Sequence, residues 1–248
     1  MLSTFTTTYA AAAPVLRHAT TRARTSPRRS RRQARTAQLL TGLVAVGTGV
    51  ALLIRADLGV ASWDVLHVAL STRTGATVGT VSIVVSIFAL ALGALLRERP
   101  RLGTLVPVLV IAPTIDVALR LFATPDDLIG RSVMLLAGLV LLATGVGAYI
   151  ASDHGAGPGD LVFLGIVRHG MPVGAARVLV DGTAAGLGWL LGGPVGVGTV
   201  VITLALGPMI SLAIASFDLT PSREETGRRD RAFHREVALE LHHELEGS

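Results

Sequence analysis

The chain has 248 residues, of which 50% are apolar and 16% charged, and its mean hydropathy of +0.60 excludes an ordinary soluble domain. It has no cysteine, which excludes disulfides, thiolate metal sites and cysteine nucleophiles. The formal net charge of +5 comes from 22 basic residues, every one an arginine, against 17 acids.

In chain order, residues 1–37 read as a basic tail. Its segment "RHATTRARTSPRRSRRQAR" carries eight arginines and no acid. Such a segment suits a transit peptide, a nucleic-acid contact or a disordered cytoplasmic tail that orients the protein and touches anionic lipid. The last is preferred, because no aromatic side chains are interleaved to stack on bases. The first apolar stretch ends in "IRADLG" without a small-x-small cleavage site, so it reads as a retained helix.

Six apolar stretches follow, at 38–55, 78–96, 103–122, 132–151, 174–191 and 197–216. Each approaches the length that a helix needs to cross a bilayer, about 20 residues. Runs such as "VSIVVSIFALALGALL" offer no polar face to water. The 28 glycines, interleaved with Ala and Thr, suit close helix packing in lipid. Residues 217–248 form a charged C-terminal segment in which Phe233, Val237, Leu241 and Leu245 recur every four residues, a narrow stripe for a marginal helix.

The membrane domain, 38–216, reads as a duplication, with repeat 1 at 38–122 and repeat 2 at 131–216. "LLTGLVAVGTGVALLIRADLGVASWD" (39–64) overlies "LLAGLVLLATGVGAYIASDHGAGPGD" (135–160) with 12 of 26 positions identical and no gap. Gly42, Gly49, Asp57 and Asp64 fall on Gly138, Gly145, Asp153 and Asp160. After a one-residue slip, Gly75, Gly79 and Pro113 fall on Gly170, Gly174 and Pro208. Three spans per repeat force the second copy to enter from the opposite side, an inverted-topology repeat. The arginines agree, since the 97–101 loop carries three and the equivalent 192–196 loop none, which puts both termini in the cytoplasm.

Between the first and second spans of each repeat lies a short apolar helix, over Trp63–Ser71 and over Gly159–Arg168. Each is a re-entrant helix, a helix lying on the surface, or half of a broken span; re-entry is favoured because "DLVFLGIV" has no polar stripe. Asp64 and Asp160 stand in the first turns, where a carboxylate caps free N–H groups and complements the helix dipole. The functional alternative brings two half-helices together near the midplane, so that both carboxylates share one polar site. His67, one turn after Asp64, shares its face and is suited to relaying protons. Asp116 with Arg120 and Arg177 with Asp181 are spaced four apart and so are expected to neutralise one another along a helix. Asp116, Arg177 and Asp181 join Asp64, His67 and Asp160 as candidates for binding a solute or ion. Pro113 and Pro208 read as helix kinks.

The elements "GVASWD" and "GAGPGD", with "LGTLVPVLVIAPTIDVAL" and "LGWLLGGPVGVGTVVITLALGP", resemble the bacterial YczE/YyaS/YitT-type integral membrane proteins over most of 38–216. The resemblance implies a multi-span inner-membrane protein, sometimes suspected of transport. Members usually carry a basic residue where Gly159 stands and an arginine followed one turn later by an acid, here Arg177 and Asp181.

The reading is therefore an all-α, polytopic membrane bundle of six spans in two inverted three-helix repeats with short re-entrant helices. It lies in the bacterial inner membrane and acts as a secondary transporter or exporter of an unknown small solute, with protons as the coupling ion in view. Its expected partner is the lipid bilayer, with no nucleic acid, no metal and no cofactor. An enzyme is disfavoured, because no nucleophile–base pair or metal constellation is present. The alternative is a non-transporting accessory protein that docks a partner through its tails.

Overall fold

A computed structural model describes residues 28–98, 102–152 and 157–217. The basic tail before residue 28, Arg99, Arg101, Asp153 and the Phe233–Leu245 stripe lie outside the described residues. Among the described residues all regular structure is helical. In order the helices are α1 (Arg28–Ala56), α2 (Ser62–Thr74), α3 (Val78–Leu95), α4 (Leu102–Leu121), α5 (Leu128–Ala151), α6 (Pro158–Arg168), α7 (Val173–Leu190) and α8 (Val197–Phe217).

The expected boundaries hold to within a few residues, except that α1 extends ten residues N-terminal of the apolar stretch. Polar side chains fix several helix starts. Thr77 accepts the Thr80 N–H at 3.2 Å to begin α3, and Asp127 accepts the Gly130 N–H at 2.8 Å to begin α5. Gly75 ends α2 in the left-handed conformation, φ 72°, where a side chain would be strained. Pro113 and Pro208 sit inside α4 and α8, and Pro107 is a third within α4.

Among the described residues, five helices are long and apolar enough to cross a membrane: Arg35–Ala56 of α1, then α3, Thr104–Leu121 of α4, α5 and α8. The sequence reading expected six. The remaining candidate, α7, has 18 residues, but Arg177 and Asp181 dilute its apolar content. Large apolar side chains line the outside of these helices, among them Phe88, Leu109, Val133 and Leu204. Burial in hydrocarbon explains so much outward apolar surface, whereas a soluble monomer exposes few such patches.

Two antiparallel long helices form the centre. A methyl added at Gly42 of α1 would lie 2.9 Å from the Gly145 carbonyl oxygen of α5, and one at Gly49 would lie 2.7 Å from the Leu142 nitrogen. The absence of side chains at these positions lets the two backbones touch. Around the crossing, Val46, Val50, Leu53, Leu135, Leu139 and Leu142 form the main apolar core with Ile115 of α4 and Ile202 of α8. α8 also packs on α5, and Gly147 faces Ala213 there.

The short helices dock on the other half of the chain. α2 packs on α7, where Gly188 admits the backbone of Val65 and Leu66, and α6 packs on α3, where Gly93 admits Leu161. The loop after α1 is tied to the start of α8 by the Gly198 N–H donating to the Leu58 carbonyl at 2.7 Å. Gly59 in that loop has φ 108°, and a methyl there would meet Thr199 Oγ1 at 2.6 Å.

Candidate functional site

The docking of α2 on α7 and of α6 on α3 brings the starts of the two short helices to one cavity. It has a volume of about 230 Å³, and its wall includes Trp63 and His67 from α2, Ser86 and Ala89 from α3, Pro158, Gly159 and Asp160 from α6, and Arg177 and Asp181 from α7. Ser86 and Asp181 lie close to the middle of their helices, so the cavity is about halfway along α3 and α7.

A chain of polar contacts crosses it. Arg177 is forked between two carboxylates: its Nε donates to Asp181 Oδ2 at 2.7 Å and its Nη1 to Asp160 Oδ1 at 3.2 Å. The other oxygen of each carboxylate is also occupied. Trp63 Nε1 donates to Asp181 Oδ1 at 3.2 Å, and the Gly157 N–H donates to Asp160 Oδ2 at 3.3 Å. The guanidinium lies over the Phe163 ring, 5.8 Å from its centroid, within range of a cation–π attraction. Gly159 explains how the indole of Trp63 fits, since a methyl at that position would meet the ring at 3.0 Å.

Five of the six sequence candidates gather here or directly behind. Asp160, His67, Arg177 and Asp181 line the cavity. Asp64 does not. It is buried, with 7% of the residue exposed, and its Oδ1 stands 3.3 Å from His67 Nδ1. The two aspartates therefore do not meet as a pair; His67 stands between Asp64 and the cavity, because one helical turn places the imidazole on the same face. The cap expectation divides as well. Asp160 accepts the N–H of the residue that caps α6, whereas no side-chain capping hydrogen bond begins α2.

Asp116 is elsewhere and does a different job. Its carboxylate accepts the Gly79 N–H at 2.8 Å and the Thr77 hydroxyl at 2.6 Å, which ties α4 to the first turn of α3. The expected pairing with Arg120 is absent among the described residues, since the nearby helix N-terminus offers a donor and a dipole that Asp116 satisfies instead. The Arg177–Asp181 pair forms as expected.

Sequence reasoning missed Trp63, Ser86 and Phe163 as parts of this site. Trp63 stood within a noted motif, and an indole N–H entering an apolar helix beside an acid was the available signal. Ser86 and Phe163 become neighbours of the site only through the docking of the short helices.

A family of unknown function, DUF6198, matches residues 33–215. The chain belongs to this family. Its relatives include an uncharacterized protein of Haemophilus influenzae, 31% identical over 173 residues, covering 69% of this chain and 79% of the relative. The uncharacterized membrane protein YczE of Bacillus subtilis is 30% identical over 176 residues, covering 70% and 82%. The uncharacterized protein YyaS of the same organism is 29% identical over 175 residues, covering 68% and 86%. The resemblance to YczE/YyaS-type proteins drawn from the motifs thus holds, and with the apolar helices it makes this DUF6198 protein a membrane protein. No solved structure matches the chain.

Proposed function

We propose that this protein is a secondary transporter or exporter of a small solute in the bacterial inner membrane, with both termini cytoplasmic. Its six spans are α1, α3, α4, α5, α7 and α8, arranged as two inverted three-helix repeats, with α2 and α6 as re-entrant helices. The observation that carries the reading is the cavity: residues from both halves of the chain wall it, halfway along two long helices, and it holds ionisable side chains. Intramembrane ionisable groups are costly and are kept where a solute or ion path needs them, and inverted-repeat carriers place that site between the repeats near the midplane.

The contact pattern supports the inverted arrangement. Replacing each residue by its counterpart in the other repeat turns the Gly42–Gly145 contact into Gly138–Gly49, and a methyl at Gly138 would indeed meet the Gly49 oxygen at 3.0 Å. The same exchange turns the docking of α2 on α7 into that of α6 on α3. In favour of α7 as a span, Arg177 is shared by two carboxylates, so its charge and that of Asp181 enter the bilayer paired. The Asp64–His67 pair, with His67 on the cavity wall, supports protons as the coupling ion.

The test is an untargeted comparison of solutes in cells that lack the protein and cells that express the wild type, Asp160→Asn or Asp181→Asn. A carrier predicts one solute or solute class whose level changes with the wild type and reverts with either variant, at normal membrane amounts. Equal solute profiles in all four strains, with the deletion phenotype rescued by the variants, would favour an accessory protein instead.

A further inference from the structure

We propose that the cavity takes a small organic monocation, an ammonium or amidinium carrying an apolar part, and that Arg177 is the built-in cation that such a solute displaces. The proposal rests on the transporter reading and names its substrate class. The first observation is the charge balance. Asp160 and Asp181 contribute two negative charges to the wall and Arg177 one positive, so the lining carries a formal deficit of one positive charge when His67 is neutral. Asp64, directly behind His67, adds a further negative charge. A monocation brings this cluster closer to neutrality, whereas an anion would add to its excess of negative charge.

The second observation is the hydrogen-bond inventory. The hydrogen bonds to Asp160 and Asp181 among the described residues come from N–H donors: two from Arg177, the Trp63 indole and the Gly157 backbone. The site is thus arranged to accept N–H donors from a cation, and it already holds one. The Trp63 donor is on an indole packed against Gly159 and the Gly157 donor is a backbone N–H, whereas Arg177 hangs on a long side chain that is 54% exposed. It can therefore withdraw from Asp160 while its neighbours stay in place. The Phe163 ring, outside the cavity wall, holds the Arg177 cation in the present arrangement, and Trp63 supplies an aromatic wall for an entering one.

The third observation is size and chemistry. A cavity of about 230 Å³ falls below the range of roughly 300–1,000 Å³ usual for drug-sized ligands. Val85, Ala89 and Pro158 line it beside the charges, so an apolar portion has a place to lie. A bare metal ion fits poorly, since among the described residues no three His, Asp or Glu side chains are grouped to hold one.

The chain has only two tryptophans, and Trp189 is 65% exposed and outside the cavity wall. In full-length Trp189→Phe protein, purified in detergent, Trp63 is therefore the sole reporter. Methylammonium, isobutylammonium and acetamidinium chlorides, all N–H donors, are titrated against sodium acetate and sodium benzoate. The expected result is a saturable change in emission with at least one of the cations and none with the anions. Asp181→Asn should weaken it about tenfold or more, and Arg177→Gln, which removes the competitor, should tighten it. Each variant is compared only as a monodisperse fraction, and if Asp181→Asn is not recovered in that form Asp160→Asn takes its place. Saturable binding of benzoate or acetate, abolished by Arg177→Gln, with no response to the cations, overturns the cation assignment and leaves a solute cavity standing. No response to any of the five salts overturns both this assignment and the use of the cavity as a binding site.

Discussion

The crossing of α1 and α5 makes the inverted repeat measurable as stability. Under the repeat, Gly49 and Gly145 are counterparts, and so are Gly42 and Gly138. A methyl at Gly49 would lie 2.7 Å from the Leu142 nitrogen and 2.9 Å from the Gly138 oxygen; one at Gly145 would lie 2.8 Å from the Val46 nitrogen and 2.7 Å from the Gly42 oxygen. Ordinary carbon contacts are about 3.5–4.0 Å, so the helices would have to part by roughly 0.5–1 Å, and each contact along the seam would lose a quarter to a half of its dispersion energy. Overpacking of this kind costs about 1–3 kcal/mol. Alanine recovers roughly 0.5–1 kcal/mol of helix propensity over glycine, which leaves a net loss of about 0–2.5 kcal/mol for Gly49→Ala and Gly145→Ala. Gly42→Ala and Gly138→Ala, whose nearest contacts are 2.9 and 3.0 Å, should cost less, and again equally. The assay is reversible unfolding of the full chain in mixed micelles, followed by circular dichroism as the denaturing detergent is raised. A difference of more than about 1 kcal/mol between counterparts, or a stabilisation at Gly49 or Gly145, would refute the mirrored seam.

Other outcomes follow from particular contacts. Asp116→Ala removes the acceptor for the Gly79 N–H and the Thr77 hydroxyl and should lower stability by about 1.5–3 kcal/mol, while Arg120→Ala should change it by no more than about 0.5 kcal/mol; thermal unfolding of both variants checks this. Asp64→Ala should destabilise more than Asp160→Ala, because Asp64 is buried against His67 whereas the Asp160 side chain is 44% exposed. Solute flux should show the opposite order of sensitivity for the conservative Asn variants, since Asp160 lines the cavity and Asp64 does not. Single cysteines in this cysteine-free chain test topology: a membrane-impermeant thiol reagent should label Pro194→Cys and not Arg99→Cys in intact spheroplasts, and the reverse pattern would reverse the orientation of the repeats.

Composition and patterning by themselves determined that this is an all-helical membrane protein, because a run of apolar residues without a polar face has no other stable placement. The motifs around Asp64 and Asp160 were enough to reach the family. Spacing also located the Arg177–Asp181 pair, since contacts one turn apart along a helix need no partner element. Only the tertiary structure decided which acids meet. Asp64 and Asp160 occupy matching places in the sequence, yet one is buried against His67 of its own helix and the other reaches Arg177, which the packing of α6 on α7 brings to it. Asp116 looked like the partner of Arg120 until the packing of α3 on α4 offered it a helix N-terminus. Trp63 reached Asp181 only once α2 had docked on α7, through the glycine at 188 that lets the two backbones approach. Spacing set what a side chain could reach along its own helix, as in Asp64–His67 and Arg177–Asp181, and the packing of helices set the bonds made between them.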